Sequence, residues 1–165
     1  MSVAAQIVLP AATVRPARLG DLDALVALEH AAFSSDRAER RAIRHAIRSA
    51  TMSLLAAITE GRAGEDLLVG AATLERRKRS RAARLSSIAV APGRAGLGLG
   101  GLLLDAAEDD SRRHGCALLR LEVRADNGPG IRLYERRGYA RVATKRDYYE
   151  DGMTAWCYEK ALGPD

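Results

Sequence analysis

Leu85-Ser-Ser-Ile-Ala-Val-Ala-Pro92, Gly93-Arg-Ala-Gly-Leu-Gly-Leu-Gly-Gly101 and Leu102-Leu-Leu-Asp-Ala-Ala-Glu108 follow one another without a break. They read as a strand, a glycine-rich turn and a helix. Ser86 to Val90 mix β-branched and small residues, as a buried strand does. Pro92 ends that strand because it has no N–H for a ladder. The glycines let backbone amides turn inward and approach a ligand closely. The leucine-rich run opens a helix whose first N–H groups lack intrahelical partners and point into the turn. Amide donation and the helix dipole together favour an anion there, a phosphate above all. The stretch from Gly96 to Gly101 is therefore a candidate phosphate cradle. By itself it has to be weighed against two nucleotide-loop readings and a tight turn with no ligand. A nucleoside-triphosphate loop needs Lys-Ser or Lys-Thr after its last glycine, and Gly101-Leu102 stands there instead. A dinucleotide fingerprint needs an acidic residue about 20 positions on, where Glu122 lies.

Working outward, the 165 residues suit one domain with a real core. Residues 1–11 read as a loose tail and 12–163 as the folded unit. Apolar content is 47% and charged content 28%, ordinary for a globular chain. The apolar start carries Pro10 and no basic leader, so neither a signal peptide nor a membrane span is expected. Cys116 and Cys157 form no disulfide framework or metal-ligand spacing, which makes a reducing cytoplasm the expected compartment. Both read as core residues. His30, His45 and His114 likewise have no metal-ligand spacing. The net charge of +5 is spread along the chain.

Upstream, Thr13 to Arg15 start a strand closed by Pro16. Asp21 is a candidate N-cap for a helix whose apolar face is Leu22, Leu25, Leu28, Ala32 and Phe33. Asp36 with Glu39 resembles a capping box for a second helix, with Ile43 and Ile47 inward and arginines outward. Met52 to Thr59 and Leu67 to Glu75 are a hairpin. Arg76 to Arg81 carry five positive charges without interleaved aromatics, and read as a solvated tip rather than a nucleic-acid grip. Downstream, a helix to His114 stops at Gly115, a strand covers Cys116 to Val123, and a short helix covers Asn127 to Arg137. Two strands, Tyr139 to Arg146 and Met153 to Lys160, close the chain, joined through Tyr148-Tyr149-Glu150-Asp151-Gly152, in which Asp151-Gly152 is a turn signal. The order β-α-α-β-β-β-α-β-α-β-β gives an α/β (α+β) mixed sheet of about seven strands flanked by helices. The central helix joins two parallel strands by a right-handed crossover. That order is not the repeated βαβ of a doubly wound dinucleotide fold, which demotes the dinucleotide reading.

Val90-Ala91-Pro92, Gly98-Leu99-Gly100 with Leu103-Leu104, Leu121-Glu122-Val123-Arg124, Asn127, Leu133-Tyr134-Glu135 and Gly138-Tyr139 together resemble the GNAT N-acetyltransferases. Glu122 to Asn127 and Asp147-Tyr148-Tyr149 look most like the bacterial ribosomal-protein alanine N-acetyltransferases. The resemblance implies the GNAT fold and acetyl-CoA as co-substrate. Its pyrophosphate would lie on the amides of Gly96, Leu97, Gly98, Leu99, Gly100 and Gly101, with Arg94 and Ala95 at the edge. Its pantetheine arm would run along Ile88, Ala89 and Val90 as an added strand, with Asn127 and Tyr134 beside it. One position departs from the pattern: Ala95 stands where the family usually carries Gln or Arg, with Arg94 next to it.

Glu122, at the end of its strand, is the expected base, directly or through a water. Tyr134 matches the family's tyrosine beside the sulfur and is the expected acid toward the leaving thiolate. The expected acceptor is a protein or peptide N-terminal α-amine. A small-molecule amine and a non-catalytic acetyl-CoA-binding domain are the alternatives, with a nucleic-acid module through Arg76 to Arg81 a distant third. Nothing in the sequence chooses between monomer and homodimer.

Overall fold

The computed structural model of the chain describes residues 11–163. The expected tail therefore lies, apart from Ala11, outside the described residues. The strands are β1 (Thr13–Pro16), β2 (Met52–Glu60), β3 (Asp66–Arg76), β4 (Ala82–Val90), β5 (Leu118–Arg124), β6 (Ala140–Lys145) and β7 (Ala155–Ala161). The helices are α1 (Leu22–Ala32), α2 (Arg40–Arg48), α3 (Leu99–Arg113) and α4 (Gly128–Arg136). One seven-stranded sheet runs β1-β2-β3-β4-β5-β7-β6. Its neighbours are antiparallel except β4 and β5, which are parallel and joined through α3. The element order is the one expected from the sequence.

The period-2 alternation of the strands feeds two cores, one on each face of the sheet. Leu74, Ala83, Leu85, Leu119, Leu121 and Val123 face α3, which presents Leu103, Leu104 and Ala107. Those three α3 side chains are fully buried, each leucine contributing about 1.5–3 kcal/mol of hydrophobic stabilisation. On the other face, Leu22, Leu25 and Leu28 of α1 and Ile43 and Ala46 of α2 cover Leu54, Ala71 and Ala89. Glu108 is buried on α3 but not unpaired: Lys160 donates to it at 2.7 Å and the Tyr139 hydroxyl at 3.0 Å. That cluster ties α3 to β7, as a buried charge requires.

Several local expectations are corrected. Asp21 does not cap α1 with its side chain. It takes the Arg15 guanidinium through both oxygens, at 2.7 and 3.0 Å, and the Arg18 N–H at 2.7 Å. The Asp36–Glu39 capping box does not form. Asp36 has φ 54° and α2 starts only at Arg40. The chain there lines a cavity, and its bonds tie it to α1 and to the loop before β7. Glu29 of α1 accepts the Ala38 N–H, while Asp36 exchanges two 3.3 Å bonds with Glu150. The last two strands are shorter than expected and the loop between them is longer. Residues 146–154 separate β6 from β7, with positive φ at Asp147 and Gly152. Arg76 leaves the expected solvated tip: its side chain is 9% exposed and reaches Ser53 at 2.8 Å and Asp110 at 3.4 Å. Arg77 to Arg81 are exposed as expected.

Candidate active site

The site begins where the parallel pair fails. β4 and β5 pair from Ala82–Leu118 to Leu85–Leu121 and no further. A register shift opposite Thr73 and Leu74 leaves Ser86 as an extra residue in β4, and a bulged strand bends. Beyond it, β4 stays with β3 as far as Gly70–Val90, while β5 stays with β7 as far as Arg124–Ala155. The two strands splay into a fork, and the edge of β4 facing β5 has no strand partner past Leu85. A cavity of about 1020 Å³ fills the fork. Ser86 to Ala89 of β4, Glu122 to Arg124 of β5 and Tyr134 of α4 form one side. Glu29, Phe33, Asp36 and Arg37 with Tyr148 and Tyr149 form the other. The Asp36–Glu150 bonds bridge the two loops of that second side.

The glycine turn stands at the far end of β4 and does not line this cavity. Gly96 and Gly98 have φ of +76° and +79°, a conformation that L side chains rarely adopt. A Cβ built on either would meet nothing within 4 Å, so the concave side of the turn is open. The N–H groups of Gly96, Leu97 and Gly98 meet no acceptor among the described residues. Gly98 is the residue before α3, so the free first-turn amides of that helix continue the row. These amides fit a pyrophosphate. At Gly101 the carbonyl accepts from the Arg137 guanidinium at 3.3 Å, and that guanidinium occupies the space beside the glycine. Leu97 is exposed, whereas the Leu99 side chain is buried in the core and leaves only backbone for a ligand. Arg94 is half-buried and has no ion-pair partner among the described residues, while Ala95 is exposed. The charge available to an anion at this corner is therefore that of Arg94, one residue from the expected place.

Of the expected cofactor-contacting residues on β4, Ile88 and Val90 are half-buried and Ala89 is buried in the core under α1 and α2. Ile88 and Ala89 line the fork cavity, and Val90 ends the strand beyond it. Asn127 precedes α4 and caps it, its Oδ1 accepting the Gly130 N–H at 3.0 Å. Its amide nitrogen is left for a ligand.

Glu122 and Tyr134, expected as base and acid, line the same cavity. Glu122 is the first β5 residue past the parallel pairing. Its side chain is 13% exposed, with Arg84 Nε donating to Oε2 at 3.0 Å and Lys145 Nζ to Oε1 at 3.3 Å. The bond to Glu122 pushes Lys145 above the usual lysine value. Tyr134 is 4% exposed, its ring set edge-on to Tyr139 with centroids 5.9 Å apart. Its hydroxyl has no protein partner among the described residues, yet is not a buried orphan, so it opens onto the cavity. Burial, and then the neighbouring Tyr149, hold this phenol well above the usual tyrosine value. It therefore stays protonated at neutral pH, as a proton donor must.

Arg84 and Glu29, which line the cavity, and Lys145, which reaches it through Glu122, are residues that the sequence did not single out. Burial pushes the Glu29 carboxyl up, opposed by the Ala38 N–H. Arg124 joins the end of β5 to the 146–154 loop through Asp151 at 2.6 Å, with its guanidinium 5.0 Å from the Tyr149 ring centre. A charged residue in the middle of a buried strand, as Arg84 is, was the available signal.

Burial raises Tyr134, Tyr139, Tyr149 and Tyr158 above the usual value, Tyr149 to about 12. The unfolded chain would ionise these phenols near pH ~10, the folded one later. The folded state then binds more protons, so stability falls as pH rises above about 10. Ultraviolet titration should find these phenols ionising late, and together with the loss of folded structure.

The acetyltransferase (GNAT) family model matches residues 22–139, well over half of the chain. The chain belongs to the acetyltransferase (GNAT) family. Acetyl-CoA as the acetyl donor, expected from the sequence, goes with that membership. Over 67 residues the chain is 43% identical to the [ribosomal protein bS18]-alanine N-acetyltransferase of Escherichia coli K12, covering 41% of this chain and 45% of that protein. The aligned stretch thus spans less than half of this relative. Over 56 residues it is 43% identical to the streptothricin acetyltransferase of Streptomyces lavendulae, covering 34% of this chain and 30% of that protein. The crystal structure of the Escherichia coli ribosomal-protein-S18-alanine N-acetyltransferase superposes with a TM-score of 0.80 at 25% identity, covering 94% of this chain and 96% of that one. The GNAT fold implied by the sequence resemblance is the fold observed. Among the described residues, no helix is long and apolar enough to cross a membrane.

Proposed function

We propose that the chain is an acetyl-CoA-dependent N-acetyltransferase that acts on a protein N-terminal α-amine by direct attack. The observation that carries this reading is the fork itself. It brings a free strand edge, a half-buried carboxylate and a protonated phenol to one cavity, with the glycine turn at the end of the same strand. The co-substrate supplies an activated acetyl group on a thioester. The chain's own residues do the rest. The amides of Gly96 to Gly101 take the pyrophosphate, with Arg94 beside them. The free edge of β4 aligns the pantetheine arm, and its amides near Val90 face the thioester oxygen as it gains charge. Glu122 accepts the proton of the incoming amine, directly or through a water. Tyr134 donates its proton to the departing thiolate. An α-amine, with a usual pKa near 7.7–8.0, needs less help than a lysine near 10.4.

The similarity to the alanine N-acetyltransferase of Escherichia coli favours a protein N-terminus as acceptor. The similarity to streptothricin acetyltransferase supports a second reading, a small-molecule amine, over a shorter stretch. The test is an acceptor panel of peptides with free α-amines, polyamines and streptothricin-class amines. Each is incubated with acetyl-CoA and followed by thiol release and product mass. Acetylated peptide with no acetylated small amine is the expected result. The reverse would select the second reading. Tight CoA binding without turnover on any acceptor would make the chain a binding module.

A further inference from the structure

Arg84 sits on β4, one residue before the last parallel pair, and its guanidinium joins three separate pieces of chain. Nε donates to Glu122 on β5 at 3.0 Å and Nη1 to Glu75 on β3 at 3.0 Å. Nη2 donates to the Tyr148 hydroxyl, in the 146–154 loop, at 3.3 Å. The second oxygen of Glu122 is taken by Lys145 of β6, whose ammonium lies 5.2 Å from the centre of the same Tyr148 ring. Both oxygens of the carboxylate are therefore held by cations. Both cations touch one exposed tyrosine on the acceptor side of the cavity. Cys157, opposite Glu122 in the β5–β7 register, is the neutral neighbour from β7.

We propose that Arg84 is the positioning residue for Glu122, fixing its carboxylate at the fork and linking its orientation to the 146–154 loop through Tyr148. This rests on the reading of Glu122 as the base. Arginine suits the task because its planar fork presents donors in fixed directions, which a lysine ammonium does not. Glu75 anchors the guanidinium from the side away from Glu122, so Arg84 does not simply follow the carboxylate. The pair is a poor candidate for a purely stabilising bridge. Arg84 is 39% exposed, and ion pairs open to solvent add little to stability. Orientation is where it acts, since a misplacement of about 1 Å can lower a rate by about 10²-fold.

The test is a double-mutant cycle of Arg84→Gln and Glu122→Gln, with Arg84→Lys as the conservative variant. Each is assayed on the best acceptor of the panel and for CoA affinity and thermal unfolding. Arg84→Gln should lower kcat by about 10–100-fold while CoA affinity stays within about twofold. Arg84→Lys, which keeps the charge and loses the fork, should recover part of the rate. On the Glu122→Gln background, Arg84→Gln should change kcat by less than about twofold, because residues that act through one another are not additive. An equal loss on both backgrounds, or full kcat in Arg84→Gln, would overturn the proposal. If Arg84→Gln fails to fold, the same cycle run with Arg84→Lys decides the matter by the same criterion. Full turnover by Glu122→Gln alone is a separate result, which removes Glu122 as the base.

Discussion

Tyr134→Phe should lower turnover by about 10²–10⁴-fold, the range over which positioned acid–base groups act, and leave CoA affinity nearly unchanged. The substitution is clean because the hydroxyl has no protein partner to strand among the described residues. The phenylalanine ring keeps the packing on Tyr139 and Tyr158. What disappears is one O–H opening onto the fork, held protonated by burial. Steady-state kinetics with acetyl-CoA, together with CoA titration by calorimetry, separates the two effects. Unchanged kcat would make Tyr134 a core residue and remove it from the chemistry. A proportional loss of CoA affinity would make it a binding residue instead.

Leu103→Ala should destabilise the fold by about 2–5 kcal/mol, the usual cost of emptying a buried leucine site. Leu103 is fully buried and lies where α3, β3 and β4 meet. Its Cδ1 is 2.9 Å from where a Cβ on Gly70 would lie, and the Ala89 carbonyl is 3.0 Å from the same point. Gly70 is small because the leucine and the neighbouring strand fill its space. Truncating Leu103 opens a void beneath the first turns of α3, the helix whose N-terminal amides complete the glycine turn. Denaturant unfolding should give a lower midpoint with an unchanged slope. The CoA affinity of the folded fraction should fall as well. A midpoint shift worth less than about 1 kcal/mol would mean that the site collapses around the vacancy.

Local features of the sequence carried the element order. Glycine and proline punctuate it, and apolar spacing separates helices from strands. The glycine turn was readable because its chemistry sits in consecutive residues. Glu122 and Tyr134 were readable through resemblance, and the fold brings both to one cavity. What stayed hidden was the pairing across the sheet. Arg84 and Glu122 are 38 residues apart, Glu122 and Lys145 are 23 apart, and Asp36 and Glu150 are 114 apart. No spacing rule links such residues before strand order and register are known. Arg76 failed for the same reason. Within a run of five cations it looks solvated, but β3 extends one residue further than expected and its guanidinium reaches Asp110 on α3. Asp36 failed because a capping pattern is local evidence, and the loop's real partner, Glu150, lies near the other end of the chain.

We propose acetyl transfer to an α-amine by groups gathered in the β4–β5 fork. Its most direct test is one peptide that carries both a free N-terminal amine and a lysine. It is incubated with the protein and acetyl-CoA, and the modified position is located by fragment mass. The expected result is a single acetyl group on the N-terminal nitrogen, with the lysine untouched and far less product from Glu122→Gln over the same time. Acetylation of the lysine alone, or equal modification by Glu122→Gln, would contradict it.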